Sequence, residues 1–102
     1  MPRRRPPHDI WQATRQRIWE RDLGRCLGPY CQGKPAWSLP LRQAHIDHIC
    51  SGKLGSNADS NLRTLCRRCH VLRADPRHRG MTAQALADGI IPPNWRELVW
   101  DG

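Results

Sequence analysis

Ile10, Trp11, Thr14, Ile18 and Leu23 form a rough stripe at helical spacing, which predicts an amphipathic helix from Asp9 to about Leu23. Asp9 stands where a cap would, and Gly24 is placed to end the helix. Arg15, Arg17 and Arg21 then face outward or toward a partner. Residues 24–40, GRCLGPYCQGKPAWSLP, are rich in Gly and Pro and read as a loop folded around something. LRQAHIDHI, residues 41–49, alternates as a strand does and predicts one arm of a hairpin. SGKLGSNADSN, residues 51–61, is turn chemistry throughout. A second helix is expected from Cys66 to Asp75-Pro76, where the proline ends or kinks it. Thr82 is read as the cap of a short helix, AQALAD, closed by Gly89. The tail IIPPNWRELVW is apolar enough to pack back on the core.

These elements predict a small α+β domain over residues 9–80, with a disordered basic arm at 1–8 and a packed extension at 81–102. A chain of 102 residues buries only a modest core, so a metal or disulfide staple is expected. MPRRRPPH has no apolar run behind its arginines, and no stretch is long and apolar enough to span a bilayer. The expected setting is the cytosol, without a membrane partner, where paired cysteines read as metal ligands.

The formal charge is +8, and Lys34 and Lys53 are the only lysines. A guanidinium is a planar fork that matches phosphate, so the arginine bias points to a nucleic-acid partner.

Cys26 and Cys31 form a C-x4-C pair, and Cys66 and Cys69 form a C-x2-C pair. Four soft thiolates suit a closed, tetrahedral, structural Zn2+ site. Such a site contributes on the order of 10–16 kcal/mol in small finger peptides. Cys50 is left over and is expected to be a small buried apolar residue. Four thiolates complete the ion, so His70, directly behind Cys69, is available for other chemistry.

Asp47-His48 ends the predicted strand, Asn61 ends the turn, and His70 lies near the start of the second helix. A carboxylate and an imidazole with water in the remaining positions suit a divalent ion that also grips phosphate oxygen. His45, two before Asp47, is a third ligand, a phosphate contact or a packed side chain, the last being preferred. His8 and His78 are expected in solvent, where His78 could also contact a phosphate backbone.

Residues 44–73, with the upstream Cys26 and Cys31, resemble the HNH endonuclease family and its ββα-metal core. The residues that carry the likeness are His48 in IDHI, Asn61 in SNLRTLC and His70 in CRRCH. The resemblance implies that His48 is the general base for the attacking water. Asp47 and His70 would hold Mg2+, Mn2+ or Ni2+ against the scissile phosphate and the departing 3′ oxygen. Asn61 would fix the turn and the orientation of His48. Both histidines must be neutral, so activity should fall in acid. Relatives carry Lys three places after the final His, or a further His or Asn four places after it. Here Arg73 and Ala74 stand there, which leaves two protein ligands and implies weak binding of the ion.

The expected substrate is double-stranded DNA. Arg73 and Arg77 share a helix face with His70 and could track a phosphate backbone beside the cut, with Arg67 nearby. Arg3, Arg4 and Arg5 could clamp flanking duplex. No residue stands out as a reader of base edges, so weak sequence preference is expected. One site in a monomer implies nicking. A compact domain of this kind suggests, by analogy, a phage or mobile-element enzyme working beside packaging proteins in a host bacterial cytoplasm. The rival reading is a non-catalytic, zinc-stabilised nucleic-acid-binding module, with DNA and RNA both open as ligands.

Overall fold

The computed structural model describes residues 7–31, 39–50, 56–74 and 79–100. Arg3, Arg4, Arg5, Arg77, His78 and the Asp75-Pro76 step lie outside these residues.

Helix α1 spans His8–Arg21. Its N-cap is Pro7 rather than Asp9, and the Trp11 amide donates to the Pro7 carbonyl at 2.9 Å. Asp9 falls inside the first turn instead, where its charge still suits the positive end of the helix dipole. Leu23 and Gly24 both take positive φ, 57° and 66°, and the Gly24 amide returns to the Trp19 carbonyl at 2.8 Å. The helix therefore ends at Arg21, two residues before the expected Leu23, with Leu23 taking the first left-handed position and Gly24 the next. Its buried stripe is narrower than expected: Thr14 and Ile18 are buried and Trp11 is half-buried, whereas Ile10 and Leu23 are exposed. A two-stranded sheet is too small to cover a wider face.

Of the α1 arginines expected outward or toward a partner, Arg17 and Arg21 are exposed and Arg15 is half-buried, and all three bond within the chain. Arg15 donates to the Leu41 and Ala44 carbonyls at 3.2 and 2.9 Å. Arg17 makes a two-pronged pair with Asp59 at 2.7 Å, and Arg21 reaches the Asp59 and Leu62 carbonyls at 2.8 and 2.7 Å. Short strands leave edge carbonyls unpaired, and these guanidiniums satisfy them.

Strand β1 is His45–His48, shorter than the predicted run because Pro40 leads into a 3₁₀ turn at Leu41–Gln43. Strand β2 is Leu62–Leu65 and pairs with it antiparallel, with Ile46 opposite Thr64, Asp47 opposite Arg63 and His48 opposite Leu62. Side chains alternate across this ribbon. Ile46 and Leu62 pack with Ile18 and Trp11 under α1, while Leu65 packs with Cys26 and Cys69 on the other face. Helix α2, Arg67–Leu72, follows directly from Cys66 as N-cap and completes a ββα unit. It stops short of Asp75-Pro76, and Ala74 already has positive φ.

Helix α3 spans Arg79–Ala87, so Thr82 lies within it and does not cap it. Gly89 closes it at φ +74°, and the Ile90 amide returns to the Ala85 carbonyl. Ala85 and Ile91 join Val71 and Leu72 in a cluster covered by Met81, Ile90, Trp95, Leu98 and Trp100. Cys50 is exposed, contrary to expectation, because it leaves the end of β1 into a turn. Among the described residues no helix is long and apolar enough to cross a membrane.

Candidate functional site

Two knuckles bring four thiols together. The Sγ atoms of Cys26, Cys31, Cys66 and Cys69 all lie within 4.8 Å of one another, and the Cys31–Cys66 and Cys31–Cys69 separations are 3.7 and 3.8 Å. Four sulfurs about 2.3 Å from a tetrahedral Zn2+ are about 3.8 Å apart, so the cage fits that ion. A disulfide needs about 2.05 Å, and none forms here among the described residues. The Gly28 amide donates to Cys26 Sγ and the Cys69 amide to Cys66 Sγ, each at 3.4 Å. Gly28 has no room for a side chain, since a Cβ there would lie 2.5 Å from the Cys69 Cβ.

Beside the cage, on the α2 face of the ribbon, lies a second constellation. Asp47 is buried, and its Oδ1 is 3.5 Å from His70 Nε2. His70 Nδ1 is 2.8 Å from His45 Nδ1, so the proton they share holds the orientation of the His70 ring. When His70 Nδ1 carries the shared proton, its Nε2 lone pair faces the carboxylate and a cation can lie between them; when His45 Nδ1 carries it, His70 Nε2–H faces the carboxylate. Donors on one octahedral ion with bonds of about 2.1 Å lie about 3.0 Å apart when adjacent and about 4.2 Å when opposite. The 3.5 Å separation fits that range. Two guanidiniums hold the same carboxylate: Arg63 Nε meets Oδ2 at 2.9 Å, and one Arg73 terminal nitrogen meets Oδ2 at 2.9 Å and Oδ1 at 3.0 Å.

The sequence model of one protein family, described as HNH endonuclease, matches residues 26–75. Residues 26–75 belong to the HNH endonuclease family. No curated protein and no solved structure matches the chain. The matched stretch runs from the first zinc-cage cysteine to just past α2, and so covers both constellations. Members of the HNH family are nucleases that act on DNA.

The other predicted positions of the HNH domain are placed as follows. His48 points to the opposite face of β1 from Asp47, stacked on Trp11 with ring centroids 5.9 Å apart and planes 3° from parallel. Its Nε2 is 2.9 Å from Asn57 Oδ1. An amide oxygen accepts only, so Nε2 carries the proton and Nδ1 the lone pair. Asn61 clamps the turn: Oδ1 accepts from the Cys50 amide at 2.8 Å, and Nδ2 donates to the Cys50 and Ser56 carbonyls at 3.0 and 2.7 Å. Among the described residues of this turn, Asn57 bonds to His48. Arg73 is turned inward, donating also to the His48 and Ile49 carbonyls at 2.7 and 3.1 Å. Arg67 pairs with Asp88 on α3's C-terminal side at 2.7 Å.

Four contributors were not singled out from the chain. Trp11 was read only as core, Asn57 is one polar residue among many in a turn, and Arg63 is one arginine in a basic chain. Trp100 stood only as tail packing. Only the two-residue alternation of β1 and β2 could have suggested that Arg63 shares a face with Asp47.

Proposed function

We propose that this chain is a metal-dependent endonuclease that hydrolyses DNA phosphodiester bonds, one strand at a time. The observation that carries the reading is the pairing of Asp47 with His70 on one face of β1 while His48, the next residue, is held on the other by Trp11 and Asn57. In-line hydrolysis needs a base on one side of phosphorus and a stabilised leaving oxygen on the other. His48 Nδ1 takes the proton from the attacking water, and the Nε2–H bond to Asn57 keeps the ring in that tautomer. Asp47 Oδ1 and His70 Nε2 would hold a divalent ion, Mg2+, Mn2+ or Ni2+, which supplies Lewis-acid stabilisation of the leaving 3′ oxygen. His45 keeps His70 in register, and Asn61 holds the turn that carries Asn57. The four thiolates carry zinc as scaffold. The +8 charge draws the protein to duplex DNA through backbone contacts, with Arg3, Arg4, Arg5 and Arg77 as further candidates.

A plasmid-nicking assay with each ion, comparing the wild type with His48→Ala, tests the proposal. Ion-dependent relaxation of supercoiled plasmid is expected for the wild type and background for the variant. The alternative, a non-catalytic binding module, is favoured by one observation: two guanidiniums already neutralise Asp47. It prevails if wild type and variant nick equally at background while both bind DNA.

A further inference from the structure

We infer that Trp100 is a positioning residue for the Asp47 carboxylate, holding the two arginines that aim it at a divalent cation. Asp47 is held by both arginines on Oδ2 and by Arg73 alone on Oδ1. Oδ2 takes Arg63 Nε and Arg73 at 2.9 Å each, while Oδ1 takes the same Arg73 nitrogen at 3.0 Å and faces His70 Nε2 at 3.5 Å. Both guanidiniums also lie against the indole of Trp100, with their central carbons 4.9 and 5.8 Å from its ring. A ring of this kind attracts a guanidinium electrostatically and narrows the many rotamers of an arginine.

The ring is itself anchored. Trp100 Nε1 donates to the Cys69 carbonyl at 2.8 Å, and its amide donates to the Leu72 carbonyl at 3.2 Å. It packs against both the zinc-cage cluster and the α2–α3 cluster. Cys69, His70 and Leu72 belong to one helix, so the indole moves with the imidazole that faces Oδ1. Trp100 thereby ties a zinc ligand, the arginine pair and the Asp47–His70 pair into one unit, although it lies outside the matched HNH stretch.

Resting on the cation site proposed for Asp47 and His70, the test measures Mn2+ binding to the zinc-loaded full chain by the electron paramagnetic resonance of free Mn2+. Removing a partner that orients a ligand costs about 10- to 100-fold in metal affinity, and Trp100 acts one contact further out, so Trp100→Leu should raise the Kd about five- to tenfold. Trp100→Phe keeps a ring for the guanidiniums and should stay within about twofold. Zinc content should be unchanged in both. Should Trp100→Leu lose its zinc, Trp100→Met refills the volume without a ring and decides in the same way. Equal weakening in the Leu and Phe variants would assign the effect to the indole hydrogen bond and overturn the inference. So would a wild-type Kd in Trp100→Leu alongside loss of Mn2+ binding in Asp47→Asn, with the cation site left standing. Undiminished binding in Asp47→Asn removes the cation site and this inference together.

Discussion

Asp47 is 4% exposed and its carboxylate is shared by two half-buried guanidiniums, so deleting it removes the anion that both of them pair with. Breaking a buried ion pair from one side costs about 3–5 kcal/mol. Asp47→Ala should therefore lose about that much stability in urea denaturation, whatever it does to activity. Asp47→Asn retains an acceptor oxygen and should lose less. His48 is different, because its ring lies half-buried on Trp11 at the end of β1. His48→Ala should keep a cooperative melt near the wild-type midpoint and lose nicking. A matching loss of fold would recast His48 as architecture. His45 shows how far one letter of sequence can be read. Its strand face was predictable, but its partner was not, since an imidazole can serve a metal, a phosphate or another ring equally well.

Each helix and strand is too short to stand alone. An isolated two-stranded ribbon is marginal in water, and α2 has six residues. The knuckles supply what length does not, which makes their local geometry sensitive. Gly28→Ala would place a methyl group 2.5 Å from the Cys69 Cβ and 2.6 Å from its sulfur, so the cage must open. The expected result is faster zinc loss to a competing chelator and a lower melting temperature. Cys66 is both a cage thiol and the N-cap of α2. Cys66→Ser should lose zinc and helical circular dichroism together; equal stability to wild type would count against a structural ion. Element type was legible for α1, β1, α2 and α3, where periodicity, proline and glycine position report it, whereas β2 at Leu62–Leu65 was too short a run to stand out. Boundaries were not legible. The predicted strand over 41–49 lost its first residues to a 3₁₀ turn, and α3 began before Thr82.

Among the described residues, three small clusters support the fold, and the zinc cage is one of them. Stability should then follow zinc occupancy. Without a cation, burial first and then the charge of Cys66 and Cys26 push the Cys31 thiol up to about 11. Cys69 is pushed up as well, first through its contact with Cys26, whereas Cys66 is lowered because Cys26 and Cys69 hydrogen-bond to it. The metal-free cluster therefore holds protons at neutral pH that zinc must displace. Zinc uptake should release protons, seen as a calorimetric enthalpy that depends on the buffer, and affinity should fall as pH falls. Chelation at pH 6 should unfold the domain faster than at pH 8. Buffer-independent enthalpy would show instead that the thiols are already ionised.

The cysteine spacing, the Asp-His pair, the later Asn and His, and the basic charge were all written in the chain, because ligand chemistry and element periodicity are properties of residue type and interval. Which donor meets which acceptor was not. Arg21 on the Leu62 carbonyl, Arg73 and Arg63 on Asp47, and Trp100 over both arginines join residues distant in sequence. A guanidinium accepts any carboxylate, carbonyl or ring within reach, and only folding determines which of them is within reach.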